Sequence, residues 1–200
     1  MSALNIITYL GIFIFAITGA LKARAYNMDI FGGLVVAFAT AYGGGTLRDL
    51  LIGIRPVNWV NNNGALLLVF AGTAITFLLK TNVNKFHRTI FFTDAIGLGL
   101  FTAAGIEVSL RNQLNDPYAL VMGVITATFG GLIADIFCNA VPNLFKRGEL
   151  YATVCAAGGV VYLLLKGFNL PSDINLATCV VFVVALRIYS KRKRIMLPDI

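Results

Sequence analysis

The sequence has little of what enzymes and soluble domains are built from. Charged residues make up 12% of the 200 residues, against about 25% in an average soluble domain. There is one histidine, His87, and the three cysteines lie inside apolar segments without C-x-x-C spacing, which is typical of small buried hydrophobic residues. Because the chain has neither a metal-ligand cluster nor a nucleophile–base arrangement, we expect no enzyme, no metal beyond a transient monovalent cation, and no cofactor.

Long apolar segments dominate the chain, of which 58% is hydrophobic. The seven segments cover residues 4–21, 30–54, 65–79, 90–110, 118–138, 150–165 and 174–189. A helix needs about 20 residues to cross a bilayer core, so the third and sixth segments are expected to borrow residues from their flanks. The segments are continuously apolar, which argues against a β-barrel. The composition predicts an all-α membrane protein with one membrane domain, residues 1–200.

The basic residues fall into two unequal groups on alternate connections between the segments. One side of the membrane receives 12 of them: Lys22, Arg24, Lys80, Lys85, Arg88, Lys146, Arg147, Arg187, Lys191, Arg192, Lys193 and Arg194. The other side receives 4: Arg48, Arg55, Arg111 and Lys166. The positive-inside rule therefore predicts an external N-terminus and a cytoplasmic C-terminus. We interpret the basic tail, residues 190–200, as a partner for anionic lipid headgroups rather than for nucleic acid.

The chain repeats itself without gaps at a shift of 86 residues. The pairs include Phe15 with Phe101, Gly44 with Gly130, Gly45 with Gly131, Asp49 with Asp135, and Pro56 with Pro142. Each unit holds three spans, 4–80 in the first and 90–166 in the second. Because three is odd, the second unit enters the membrane upside down. The sequence thus predicts two inverted three-helix repeats plus a seventh helix at 174–189, an organisation common in transport proteins.

The second helix of each repeat carries glycines followed by an aspartate. The motifs are "GGGTLRD" from Gly43 to Asp49 and "FGGLIAD" from Phe129 to Asp135. A glycine inside a helix costs roughly 1 kcal/mol relative to alanine, so these positions are expected to kink or break the helix. Close helix packing is the alternative that the pattern leaves open.

A shared helix face links the glycines to the carboxylates. Gly45 and Asp49 are four residues apart, as are Gly131 and Asp135, and residues at that spacing lie on one face. An intramembrane carboxylate indicates a functional site and calls for a partner. Two pairings are hypotheses, Arg48 with Glu107 and Lys22 with Asp135. Asp94 is expected to cap the fourth helix or lie at the interface.

These features together resemble the prokaryotic trimeric intracellular cation (TRIC) channels. The resemblance rests on seven helices, the doubled three-helix unit, "GGGTLRD", and the second glycine pair with its aspartate. It implies a homotrimer in the bacterial plasma membrane, with a potassium-conducting pore in each protomer lined by the glycine-kinked second and fifth helices. Related bacterial proteins are associated with glycine transport, which gives an alternative.

The residues and the resemblance together give a functional expectation. The expected function is a monovalent cation channel for potassium or sodium, and the alternative is a secondary transporter of a small zwitterion such as glycine. The residues expected to line the ion pathway are Gly43, Gly44, Gly45, Thr46, Arg48, Asp49, Thr126, Gly130, Gly131 and Asp135. Thr46 and Thr126 are expected near the ion, where freed carbonyls replace part of its hydration shell.

Overall fold

The computed structural model describes residues 2–78, 86–146 and 150–196, and these contain seven α-helices. The helices are α1 (Ala3–Ala25), α2 (Ile30–Ile52), α3 (Asn63–Leu78), α4 (Phe86–Arg111), α5 (Asp116–Phe137), α6 (Ala152–Gly167) and α7 (Ser172–Lys193). Five are long and apolar enough to cross a membrane, whereas α3 and α6 have 16 residues each. At 1.5 Å per residue, α3 and α6 span about 24 Å, less than a typical bilayer core.

Local sequence explains where α2 begins and ends. The Asp29 carboxylate accepts the Gly32 amide hydrogen at 2.7 Å and so caps the first turn. Gly53 ends the helix in the left-handed conformation, with φ +80°, which glycine adopts without steric penalty. Three of the basic residues that predict the membrane orientation lie outside the described residues: Lys80, Lys85 and Arg147.

The two three-helix units are related by a pseudo-two-fold axis that passes between α1 and α4. Phe15 and Phe101, which are 86 residues apart, meet with their ring centroids 5.0 Å from each other. Gly11 lies against the Phe101 ring, and its counterpart Gly97 lies against the Phe15 ring. The architecture is therefore two inverted three-helix repeats, with α7 as an additional helix against α4 and α6 at Gly99 and Gly158.

The second helices of the two repeats, α2 and α5, cross at a pair of equivalent glycines. A Cβ on Gly44 would overlap the carbonyl oxygen of Thr126, and a Cβ on Gly130 would overlap that of Thr40. Both helices are α-helical without interruption through their glycines, so the predicted break is wrong. The missing side chains instead let the two backbones approach closely.

Two ends of the bundle are named here for reference. The amino end is where α1 begins, α2 and α4 end, and α7 begins; the carboxyl end is where α1 and α5 end and α7 ends. We call the face of α2 that carries Gly45 and Asp49, and the equivalent face of α5 that carries Gly131 and Asp135, the equivalent stripes of the two repeats. They lie toward opposite ends of the bundle.

Candidate functional site

A cavity of about 540 Å³ occupies the amino end of the bundle. It lies between α1, α2 and α4, and the connection that follows α2 covers one side of it. Gly45 and Asp49, which the sequence predicts to share a helix face, both line it, and Ala41 lines it one turn earlier on the same face. A Cβ built on Gly45 meets only the Arg48 guanidinium, at 3.8 Å, so this glycine faces open space. We call this space the amino-end cavity.

Arg48 and Asp49 form a buried ion pair in the wall of the amino-end cavity. Arg48 Nη2 and Nε lie 2.6 and 3.0 Å from Asp49 Oδ1. The Asn58 backbone amide donates to Asp49 Oδ2 at 2.8 Å, and its side-chain amide donates to Oδ1 at 3.1 Å. Asp49 is 1% exposed and Arg48 6%. Four hydrogen bonds to one carboxylate compensate for the cost of burying its charge.

The predicted pairing of Arg48 with Glu107 is wrong. The Glu107 carboxylate accepts hydrogen bonds from Arg111 Nε at 2.7 Å and from the Tyr162 hydroxyl. Arg48 instead folds back along its own helix onto its sequence neighbour. Backbone Cβ directions diverge between neighbours, but the long arginine side chain spans the difference, which residue spacing alone does not reveal.

Aromatic side chains form another wall of the amino-end cavity. Tyr42 and Trp59 stack with ring centroids 5.3 Å apart, and Trp59 Nε1 donates to Thr46 Oγ1 at 2.9 Å. This hydrogen bond ties the connection after α2 to the helix at Thr46. The Tyr42 hydroxyl is buried and has no hydrogen-bond partner among the described residues, which is costly unless a ligand or water supplies one.

A buried polar cluster lies at the carboxyl end. Lys22 Nζ lies 2.8 Å from Asp135 Oδ1, the pair that the sequence suggested, with both side chains less than 10% exposed. The Asn143 backbone amide donates to Asp135 Oδ2 at 2.9 Å. The Tyr151 hydroxyl donates to Asp94 Oδ1 at 3.2 Å. We call Lys22, Asp94, Asp135 and Tyr151 the carboxyl-end cluster.

Gly131 makes this cluster possible. A Cβ on Gly131 would meet the Tyr151 hydroxyl at 2.7 Å, with Asp94 Oδ1 and Lys22 Nζ each at 3.9 Å. Three polar groups thus converge on the space that a side chain would fill. Gly131 is the counterpart of Gly45, so equivalent glycines face an open cavity at one end and a closed cluster at the other.

The sequence misplaced one residue of the carboxyl-end cluster, Asp94, and did not single out one residue of the amino-end cavity, Phe101. Asp94 does not cap α4, because the helix begins at Phe86 and Asp94 is 3% exposed within it. The sequence placed the start of α4 close to Asp94, whereas the helix begins eight residues earlier, so Asp94 lies about two turns inside it. Phe101 lines the amino-end cavity against Phe15, and its signal was present in the repeat, where the two phenylalanines align.

The remaining predicted site residues pack within the bundle. Thr126 Oγ1 donates to the Met122 carbonyl at 2.6 Å, and the side chain is buried against Gly105. A Cβ on Gly43 would meet Ile133 at 2.8 Å. Gly43 and Thr126, like Gly44 and Gly130, therefore serve contacts between helices in this structure.

Comparison with known proteins gives consistent matches over nearly the whole chain. The family model described as glycine transporter matches twice, over residues 5–81 and 91–167, two stretches offset by 86 residues. The UPF0126 membrane protein of Vibrio cholerae is 35% identical over 98% of this chain and 82% of its own length. The UPF0126 inner membrane protein YadS of Escherichia coli K12 is 32% identical over 94% of this chain and 91% of its own.

The fold is similar to that of solved channel structures. The crystal structure of the TRIC trimeric intracellular cation channel orthologue from Rhodobacter sphaeroides superposes with a TM-score of 0.89 at 30% identity, covering 98% of this chain and 100% of the other. This similarity extends across both repeats and α7.

Proposed function

Because the chain belongs to the prokaryotic TRIC channel family, an integral membrane protein family, we propose that it is a monovalent cation channel with one pathway in each protomer. The pathway runs from the amino-end cavity, past Phe15 and Phe101, to the carboxyl-end cluster. The Rhodobacter relative is described as a trimeric cation channel, which supports a homotrimer here. The YadS relative is described as an inner membrane protein, which supports the bacterial plasma membrane.

One observation carries this proposal: equivalent stripes of the two repeats are open at one end and closed at the other. Gly45 and Asp49 border a cavity, whereas Gly131 and Asp135 are sealed by Lys22. We interpret two inverted halves that differ in this way as a pathway in its closed state, with the seal at the carboxyl end. Asp135 would attract cations once Lys22 moves away, and carboxylates favour cations in pores.

The positive-inside bias supports placing the amino end outside and the carboxyl end at the cytoplasm. The cavity then opens to the exterior, and the seal is cytoplasmic. Potassium is the proposed physiological ion because it is the abundant cytoplasmic cation, and sodium is the competing candidate.

The proposal is tested by ion flux through reconstituted protein. We expect liposomes that contain the protein to release potassium down its gradient when an ionophore for protons balances charge. An Asp135→Asn variant should pass less potassium relative to chloride, because the carboxylate that selects cations is gone. Flux equal to that of protein-free liposomes at every applied voltage would remove the channel from consideration.

A second candidate function is transport of a small zwitterion, and one feature of the amino-end cavity favours it. The cavity presents a guanidinium and a carboxylate side by side, and its aromatic wall holds the buried Tyr42 hydroxyl, which has no hydrogen-bond partner among the described residues. A zwitterion such as glycine carries the complementary charges, and the matching family model is described as glycine transporter. Saturable uptake of labelled glycine without conductance steps in a planar bilayer would establish this function instead.

A further inference from the structure

A pocket of about 360 Å³ opens at the carboxyl end, between the first turns of α4 and the last turns of α7. It shares no lining residue with the amino-end cavity. It adjoins the carboxyl-end cluster, because the Arg187 guanidinium lies 5.2 Å from the centroid of the Phe91 ring in the pocket and 5.1 Å from that of the Tyr151 ring in the cluster. Its lining consists of His87, Arg88, Phe91, Phe92, Ile188, Lys191 and Arg192. Among the described residues that line it, none is acidic, so the pocket is positively charged.

Basic and apolar side chains occupy different depths of this pocket, in the same order on both helices. On α4, Arg88 lies near the helix start and Phe92 lies one turn deeper in the bundle. On α7, Arg192 lies near the helix end and Ile188 lies one turn deeper. Because the two helices run in opposite directions, one turn of about 6 Å separates a basic rim from an apolar floor on both.

The floor also holds the cations of the rim in position. The Lys191 ammonium lies 3.7 Å from the centroid of the Phe91 ring, and the Arg88 guanidinium carbon lies 5.8 Å from that of Phe92. Such cation–π contacts orient the charged groups. The rim is therefore prepared for an anion, and the floor for hydrocarbon.

We propose that this pocket binds one anionic phospholipid of the surrounding leaflet. The phosphodiester lies against Arg88, Lys191 and Arg192, and the first methylene groups of the acyl chains lie along Phe92 and Ile188, which are partly exposed. Arginine contacts phosphate oxygens through two parallel donors, which favours a defined site over diffuse attraction. The site follows from the membrane location and the pocket alone, so it holds whichever solute the protein moves.

The test measures lipid retention by delipidated protein in neutral detergent, with native mass spectrometry as the readout. Wild-type protein should retain one dioleoylphosphatidylglycerol per protomer in a saturable manner, and dioleoylphosphatidylcholine at least tenfold more weakly. The double variant Arg88→Gln/Arg192→Gln should lose about tenfold or more in phosphatidylglycerol affinity. Both side chains are exposed, so folding is expected to be retained, and Arg192→Gln alone serves as a second variant.

Lys193→Gln is the matched control, because it removes one positive charge beside Arg192 without touching the pocket. Its affinity should stay within about twofold of wild type. An equal loss in Lys193→Gln would mean diffuse charge attraction and would overturn the proposal, as would unchanged retention in both pocket variants. Inorganic phosphate at the same concentration should leave the unfolding temperature unchanged; a shift equal to that given by phosphatidylglycerol would overturn the assignment to a lipid.

Discussion

The three consecutive glycines of α2 each meet a different environment. Gly43 faces Ile133, Gly44 touches the α5 backbone at Thr126, and Gly45 borders the amino-end cavity. A helix turns about 100° per residue, so three adjacent positions necessarily point in three directions. The sequence left helix packing and site lining as alternatives for these glycines. In the structure Gly43 and Gly44 pack against α5, and Gly45 lines the cavity.

Alanine substitutions separate these roles. We expect Gly44→Ala to lower the free energy of unfolding by about 1–3 kcal/mol, because the new methyl group overpacks against backbone that cannot move aside. Gly130→Ala should behave similarly, since its contact with Thr40 is equivalent. Thermal unfolding in detergent measures the effect.

Gly45→Ala is the matched control for this prediction. It lies one residue away in the same helix and has no close neighbour except the end of the Arg48 side chain. It should unfold at the wild-type temperature or slightly above, because alanine is the better helix former. Equal destabilisation by Gly44→Ala and Gly45→Ala would contradict the assignment of the crossing point.

At the scale of helices, the two buried ion pairs differ in what they connect. Arg48 and Asp49 are neighbours in α2, so their pair ties down only one helix and its following connection. Lys22 and Asp135 join the end of α1 to the end of α5. A pair between helices opposes their separation, whereas a local pair does not. In the proposed pathway, opening of the carboxyl end therefore requires this ion pair to break.

Replacing Lys22 by methionine removes this connection and keeps the side-chain length. Leaving the Asp135 charge buried without its cation, with the Asn143 amide hydrogen bond retained, costs about 3–5 kcal/mol. The closed state therefore loses stability relative to an open state in which water reaches Asp135. We expect Lys22→Met to raise potassium efflux from liposomes several-fold over wild type.

Lys166→Met is the control, because Lys166 also pairs with an aspartate, Asp116, but both side chains are about half exposed. An exposed pair contributes about 0–1 kcal/mol, and efflux should not change. Lys22→Met efflux at the wild-type level, with folded protein present, would show that this ion pair is not the seal.

The sequence predicted the features that repeat along the chain, but not those ion-pair and hydrogen-bond partners that depend on side-chain conformation. The shift of 86 gave both repeats and the pseudo-two-fold axis, because apolar span length and repeated glycines are properties of the chain itself. The Lys22–Asp135 pair followed from the depth of the two residues in their helices. The partners of Arg48 and Glu107 did not follow from the sequence. The rotamer of Arg48 decides that it meets Asp49, and the packing of α6 against α4 brings Tyr162 to Glu107.

At the scale of the whole molecule, the repeats are equivalent in sequence pattern and helix order but differ in accessibility. The amino-end cavity is open, whereas its counterpart is filled by Lys22 and Tyr151. A symmetric motif thus yields an asymmetric structure because Arg48 turns onto its neighbour, while Ala134 stands at the equivalent position and leaves Asp135 to a lysine from another helix.

Cysteine labelling at equivalent positions measures this asymmetry. We expect Gly45→Cys to react with a small charged thiol reagent added outside intact cells, because the proposed orientation places the amino-end cavity on that side. Gly131→Cys should react slowly from either side. The wild-type cysteines Cys138, Cys155 and Cys179 are buried, so the background should be low; similar rates at both positions would contradict the closed carboxyl end.

The central claim, a cation pathway sealed by Lys22 and Asp135, is tested most directly by single-channel recording in a planar bilayer with unequal potassium chloride on the two sides. The account predicts discrete current steps that reverse near the potassium equilibrium potential, with a higher open probability in Lys22→Met than in wild type. Absence of steps from both proteins, together with saturable uptake of labelled glycine by the same preparation, would contradict it.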